Sequence, residues 1–194
     1  MGNCKKIIIA ALFMCCLTGC GNAKENETNT LTLREDGSIA HTIVESFEMN
    51  YYDEDELSAM ASRKAEEYTD GTVSCESVQK KDGKVIVKMS YGTGEDYTGF
   101  NNREFYTGTV EEAGAKGYRF EDMVDKDGMS LTGDIGGAYS ENHVLVVQTG
   151  AGEELAVSVY DNILCVSSNV TISGKKAAYI GAGEEAVVSY IIFE

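Results

Sequence analysis

The stretch Thr72-Val-Ser-Cys-Glu-Ser-Val-Gln-Lys-Lys-Asp-Gly-Lys-Val-Ile-Val-Lys-Met-Ser-Tyr91 decides the fold class, because it has the pattern of a β-hairpin. At its centre is Asp82-Gly83, a residue pair that tolerates the positive φ angles of a tight turn. After the turn, Val85 and every second residue up to Tyr91 are apolar, which indicates a strand with one buried face. The sequence therefore predicts two antiparallel strands over 72–91.

A second hairpin and one helix precede this stretch. The pair Asp36-Gly37 separates two strand-like segments and predicts a hairpin at the start of the domain. Further on, Asp53 can cap a helix, since Glu56 follows it three residues later. Apolar side chains then recur from Leu57 at positions i, i+3, i+4, i+8 and i+11, on one helical face. This predicts one main amphipathic helix over about 53–69.

The C-terminal part of the chain is strand-like throughout. Short polar or glycine turns separate segments that read as strands: 143–149, 155–160, 163–172, 176–180 and 186–193. The motif Gly-Ala-Gly-Glu-Glu opens both 150–160 and 181–191, and a strand rather than a helix follows each copy. A phosphate-binding loop needs a helix N-terminus there, so both copies are interpreted as turns before strands. The fold class predicted is α+β, mostly antiparallel, with a C-terminal β-meander over 140–194.

The N-terminus has the layout of an exported lipoprotein. Two lysines precede an apolar run over 7–17, which is too short to span a bilayer comfortably. The run ends in Leu17-Thr18-Gly19-Cys20, a lipobox, in which the cysteine is acylated and becomes the mature N-terminus. We therefore expect a signal peptide over 1–19, a lipid such as palmitate on Cys20, and a polar tether over 20–29. The expected location is the cell membrane, with the domain anchored outside the cytoplasm.

The charge of the chain excludes several partners. The formal net charge is −16 at pH 7, and no basic stripe interrupts it. Such a surface repels nucleic acid and anionic lipid headgroups, so no nucleic acid partner is expected. The membrane is expected as a partner only through the lipid on Cys20.

Aromatic residues are concentrated in the least regular segment, 91–120. With nearby amides, exposed rings here could form a platform for a sugar or a peptide. The candidate binding residues are Tyr97, Phe100, Asn101, Asn102 and Tyr106. The alternative is that Tyr97 and Phe100, at helical i, i+3 spacing, are packing residues that hold a short helix against the sheet.

No catalytic or metal-binding motif is recognisable. His41 and His143 lie in predicted strands, where a lone histidine is more often a surface or packing residue than a base or a ligand. The segment 125–136 begins like a calcium loop but lacks the glycine and glutamate that an EF-hand requires. No cofactor and no metal are expected. Cys75 and Cys165 could form a disulfide outside the cytoplasm, while buried free thiols are the default expectation.

Several stretches together resemble an uncharacterised lipoprotein family of Gram-positive anaerobes. They follow the lipobox and include Leu31-Thr-Leu-Arg-Glu-Asp-Gly-Ser-Ile39, Tyr52-Asp-Glu-Asp-Glu-Leu57 and Asp96-Tyr-Thr-Gly-Phe-Asn-Asn102. More loosely, a hairpin, a helix and a second hairpin are similar to the LppM-type lipoprotein domain. The resemblance covers nearly the whole mature chain, and it implies no known reaction and no catalytic residues.

These observations predict a single α+β domain over 30–194, with a helix-containing part over 30–125 followed by the meander. The function expected is that of a non-catalytic binding or envelope-interaction module, whose partner is an envelope protein or a glycan. One alternative is an extracellular hydrolase acting on glycans, and another is a structural component of the envelope.

Overall fold

The computed structural model describes residues 28–48, 53–68 and 71–194. Within these ranges the chain forms twelve strands and four helices. In chain order they are β1 (Asn29–Leu33), β2 (Ile39–Ser46), α1 (Glu54–Tyr68), β3 (Val73–Lys81), β4 (Lys84–Tyr91), α2 (Gly94–Asn101), β5 (Phe105–Thr109), α3 (Val110–Ala115), β6 (Met123–Asp125), α4 (Ile135–Ala138), β7 (His143–Thr149), β8 (Leu155–Ser158), β9 (Ile163–Ser167), β10 (Val170–Ile172), β11 (Ala177–Ile180) and β12 (Val187–Phe193). The predicted signal peptide and Cys20 lie outside the described residues.

The predicted α+β class is confirmed, and the strands divide between two sheets. The seven-stranded sheet has the order β10-β11-β8-β1-β2-β4-β3, and the five-stranded sheet has the order β5-β7-β12-β9-β6. All pairings are antiparallel except that of β1 with β8. Asn29 was assigned to the tether from the sequence, but it is the first residue of β1.

Both predicted hairpins form, and they lie side by side in the seven-stranded sheet. Asp82 and Gly83 have φ angles of 52° and 75°, so both turn residues occupy the left-handed region as a tight two-residue turn requires. The hairpins are joined through β2 and β4, whose register places Ile39 opposite Tyr91. This pairing turns two local hairpins into one continuous four-stranded surface.

The predicted helix is also present as α1, and it packs on β3. Its first turn is capped as expected, since the Glu56 backbone N–H donates to Asp53 Oδ1 at 2.9 Å. The apolar face is covered only in part. Ala65 is buried, whereas Met60 is 50% exposed.

The six C-terminal strands are divided between the two sheets, and the chain crosses from one sheet to the other four times. The crossings lie between β7 and β8, between β8 and β9, between β9 and β10, and between β11 and β12. The first and the last crossings are the two Gly-Ala-Gly-Glu-Glu segments, and Gly152 N–H donates to the Gly183 carbonyl oxygen at 2.8 Å. The repeat therefore marks two adjacent corners, where glycine allows strands to bend from one sheet into the other.

The fold has three layers, the two sheets and the pair of helices α3 and α4, with a cluster of buried residues at each of the two contacts between layers. Side chains of both sheets, such as Leu31, Leu145 and Phe193, pack together in one cluster of buried residues. The outer face of the five-stranded sheet is covered by α3 and α4 in a second cluster, which includes Val110 and Ile135. Because β7 has neighbours on both faces, its central residues 144–147 are all buried, as expected for a continuous apolar run.

Candidate functional site

A polar cleft of about 590 Å³ lies where β2, α2 and the first glycine corner meet. The side chains that matter for its chemistry come from five separate parts of the chain: Asn29, His41, Tyr97, Asn101, Arg103 and Glu153. They are assembled by the fold, because β1 pairs with both β2 and β8 and so holds the corner beside β2.

His41 is the most unusual residue of the cleft. It lies on β2 opposite Leu31 and Met89, at a position where strand alternation points the side chain inward with Ile39. The residue is only 6% exposed. Neither ring nitrogen has a hydrogen-bond partner among the described residues. Since buried polar groups in proteins are nearly always paired, this imidazole requires an explanation.

The protonation state of His41 follows from its burial. Desolvation lowers the pKa of the imidazole to about 4, while the Glu153 carboxylate acts in the opposite direction and the Arg103 guanidinium acts in the same direction. The ring is therefore neutral at pH 7, with one nitrogen as a donor and the other as an acceptor.

An ion pair between Arg103 and Glu153 lies close to the histidine. Arg103 Nη1 donates to Glu153 Oε2, which also accepts from the Gly150 N–H at 2.9 Å. Asn29 Nδ2 donates to Glu153 Oε1 at 3.4 Å, and Asn29 Oδ1 accepts from the Val44 N–H at 2.8 Å. These contacts tie β1, β2, the segment after α2 and the first corner into one unit.

Helix α2 brings Tyr97 and Asn101 to the same cleft. Thr93 caps the helix by accepting from the Asp96 N–H, which fixes the direction of its first turn. Tyr97 is 1% exposed, and burial raises the pKa of its hydroxyl. Its ring lies 5.6 Å from the His41 ring, measured between centroids. Asn101 Nδ2 donates to the Tyr97 carbonyl oxygen at 2.9 Å.

No protein-family model, curated protein or solved structure matches the chain. The resemblance to lipoproteins of Gram-positive anaerobes and to the LppM-type domain therefore stays a prediction.

The five residues predicted to bind a ligand do not form one open aromatic groove. Tyr97 and Asn101 line the cleft, whereas Phe100 is partly buried and packs edge-on against Tyr68 at the edge of the first cluster. Asn102 ends α2 in the left-handed conformation, with a φ of 52°. Tyr106 lies on β5 against Tyr118, and both rings are partly buried against the second cluster. The predicted alternative, in which Tyr97 and Phe100 hold a short helix against the sheet, describes their packing.

The two cysteines of the described domain are free thiols rather than a disulfide. Cys75 lies on β3 in the seven-stranded sheet, and Cys165 lies on β9 in the five-stranded sheet. Cys165 is fully buried, and desolvation raises the pKa of its thiol to about 12. The strands that carry the two thiols belong to different sheets, so pairing in the sheet cannot bring them together.

Sequence reasoning missed the residues that define the cleft, above all His41, Arg103 and Glu153. One signal was available, because His41 stands two residues after Ile39 and two before Ile43, where an inward-facing strand position is normally apolar. No comparable signal marks Arg103 or Glu153, whose neighbours come from distant parts of the chain.

Two further findings concern membranes and metals. Of the helices that the structure describes, none combines the length and apolar composition needed to cross a bilayer. Across 28–48, 53–68 and 71–194, no three His, Cys, Asp or Glu side chains are grouped so that they could hold a metal ion.

Proposed function

We propose that this protein is a lipid-anchored, extracytoplasmic binding module whose ligand site is the His41 cleft. The observation that carries the proposal is the buried imidazole with two unpaired nitrogens beside a polar cleft. A buried donor or acceptor without a partner costs about 1–3 kcal/mol. Such a departure from the rules of a stable core is typical of a functional site, where a ligand supplies the missing partners.

The lipid anchor is the second part of the proposal, and it rests on the lipobox ending in Cys20. Thr28 and Asn29 line the cleft at the point where the described chain begins. Seven residues separate Thr28 from Cys20, so a polar tether of this length would hold this end of the domain about 13–16 Å from the lipid. The cleft would therefore lie at the end of the domain that is attached to the membrane.

Replacement of Cys20 by alanine tests the anchor. We expect labelled palmitate to be incorporated into the wild-type protein in a lipoprotein-processing bacterial host, and not into Cys20→Ala, because the acylated thiol is gone. The measurement is the label on the purified protein together with its partition between membrane and soluble fractions. Cys16→Ala is the matched control and should keep the label. Incorporation into Cys20→Ala would refute the anchor.

Binding in the cleft is tested with the dialysable fraction of an envelope extract. We expect this fraction to raise the melting temperature of the full chain in nonionic detergent, because a ligand that binds only the folded state stabilises it. His41→Phe should lose the shift, and His143→Phe should keep it, since His143 stacks on Phe193 away from the cleft.

An equal shift in wild type and His41→Phe would remove the cleft as the binding site, and no shift in any variant would contradict the binding function. Chemical conversion of the fraction by the wild-type protein, seen by mass spectrometry, would replace the proposal with the hydrolase alternative.

A further inference from the structure

We infer that Asn29 is a positioning residue of the cleft, which holds the ion pair of Arg103 and Glu153 in place from the first residue of β1. The inference rests on the proposed function, because it concerns how that same site is assembled and controlled. It follows from the two hydrogen bonds of the Asn29 amide and from the burial of the Glu153 carboxylate.

The oxygen of the Asn29 amide extends the pairing of β1 with β2. That pairing ends at Thr30 opposite Thr42, so the N–H of Val44 lies beyond the last paired residue of β1. Asn29 Oδ1 accepts from this N–H at 2.8 Å, a normal length for such a bond. On its other side, the backbone of Asn29 pairs with Leu155 of β8. The amide is therefore held in a defined place between two strands.

The nitrogen of the same amide holds the carboxylate of Glu153. Asn29 Nδ2 donates to Glu153 Oε1 at 3.4 Å, and it is the only partner of that oxygen among the described residues. The other oxygen accepts from Arg103 and from the Gly150 N–H. The Glu153 side chain is only 14% exposed, so its charge depends on these donors in place of water. Loss of the Asn29 donor would leave one oxygen of a largely buried carboxylate unpaired.

The second copy of the glycine repeat provides a comparison within the same molecule. Glu184 lies three residues after Gly181, as Glu153 lies three residues after Gly150. Glu184 is exposed, whereas Glu153 is largely buried. The two corners are alike in sequence, so the neighbours that β1 and the segment after α2 supply to the first corner account for the difference.

The Asn29 bridge joins the cleft to the end of the domain that follows the predicted tether. Asn29 is the first residue of β1, and Thr28 before it lines the cleft. Displacement of Asn29 from β1 breaks both of its side-chain bonds, and Glu153 then loses a donor. A ligand that needs the assembled cleft therefore favours docking of Asn29, and docking favours the ligand to the same extent. The cleft is thus controlled from the anchored end of the domain.

Two variants of Asn29 separate its two hydrogen bonds. Asn29→Asp keeps the oxygen that accepts from Val44 and loses the N–H that donates to Glu153, whereas Asn29→Ala loses both. The full chain in nonionic detergent, labelled in its arginine side chains and backbone amides, is followed by NMR at pH 7. The chain has four arginines, and Arg103→Lys assigns the signals of the one in the cleft.

We expect the Arg103 signals to shift in both variants, because both remove the donor to its partner carboxylate. Exchange of the Val44 amide should become about tenfold faster in Asn29→Ala and stay near the wild-type rate in Asn29→Asp. Asn169→Ala is the matched control, since it removes a 2.7 Å bond from an amide to Ser189 Oγ outside the cleft. It should change neither measurement.

The repeat supplies a second pair of variants. Glu153→Gln should shift the Arg103 signals, because it removes the charge that pairs with the guanidinium, and Glu184→Gln should leave them unchanged. Arg103 signals that keep their wild-type positions in both variants of Asn29 would overturn the positioning role.

The link to binding is tested with the same envelope fraction. Its stabilisation of the full chain should fall to about half or less in both variants of Asn29 and stay unchanged in Asn169→Ala. In the wild type the fraction should slow exchange of the Val44 amide. Shifted Arg103 signals with full stabilisation would overturn the control of binding and leave the binding function standing. Absence of stabilisation in the wild type would contradict the binding function, while the Arg103 signals would still decide the role of Asn29.

Discussion

Acidification from neutral pH to below about pH 4 is expected to lower the free energy of unfolding by about 3 kcal/mol through His41 alone. In the unfolded chain the imidazole takes up a proton near its ordinary pKa of 6.5, whereas burial lowers the pKa in the folded protein to about 4. Between these two values the unfolded state binds more protons, so falling pH favours unfolding. This loss of stability is absent well above pH 6.5, the pKa of the imidazole in the unfolded chain, and it is complete below about pH 4, the pKa in the folded protein.

The charged and aromatic groups that face His41 do not change the direction of its pKa shift. Glu153 and Arg103 act on the ring with opposite signs, and Tyr97 supplies a neutral ring at its side. Desolvation is the largest cause of the lowered pKa. Protonation would place an unpaired cation in the core, and neither ring nitrogen has a described partner that could stabilise it.

His41→Leu provides the comparison that isolates this contribution from the many carboxylates of the chain. At neutral pH the variant should be about 1–3 kcal/mol more stable than the wild type, because an unpaired polar group has been removed from the core. Near pH 4 the difference should be larger, approaching the further 3 kcal/mol that protonation of the wild-type ring costs. Chemical denaturation of the full chain in nonionic detergent measures both values, with His143→Leu as the control. A difference that does not change with pH would contradict the prediction.

Replacement of Tyr97 by alanine is expected to have the largest effect on stability, a loss of about 3–5 kcal/mol. The ring is 1% exposed and contacts three others. Its centroid lies 4.9 Å from that of Phe105, 5.1 Å from that of Tyr91 and 5.6 Å from that of His41. Truncation would leave a cavity between the two sheets and remove one wall of the cleft.

Tyr97→Phe separates packing from the hydroxyl group. The phenylalanine ring keeps the aromatic contacts, so this variant should lose about 1 kcal/mol or less. Denaturation midpoints and slopes of both variants, measured as for His41, give the comparison. A loss in Tyr97→Phe as large as that in Tyr97→Ala would show that the hydroxyl, rather than the packed ring, holds α2 in place.

The local elements were predictable because their causes are local. Asp82-Gly83 forms its turn because both residues reach positive φ, at 52° and 75°, whatever the strands pack against. The cap of α1 likewise needs only Asp53 and the N–H of Glu56. Periodicity could not reveal how much of a face is covered, since Met60 belongs to the apolar face and is still 50% exposed.

The arrangement of the two copies of the C-terminal repeat could not be predicted from local sequence. Its glycines predicted turns before strands, and strands do follow at β8 and β12. The two turns lie together, joined by the hydrogen bond from Gly152 to Gly183, because β8 pairs with β11 in one sheet and β7 pairs with β12 in the other. Many pairings of short apolar strands satisfy the same alternation, so local pattern cannot select between them.

The sequence by itself determined the turns, the capped helix, the strand-rich C-terminus and the strand on which His41 lies, because each follows from neighbouring residues. Only the tertiary structure decided that His41 lies without a hydrogen-bond partner among the described residues, beside an ion pair formed by Arg103 and Glu153. The physical reason is that strand alternation sets the direction of a side chain, whereas its desolvation and its partners depend on segments distant in sequence.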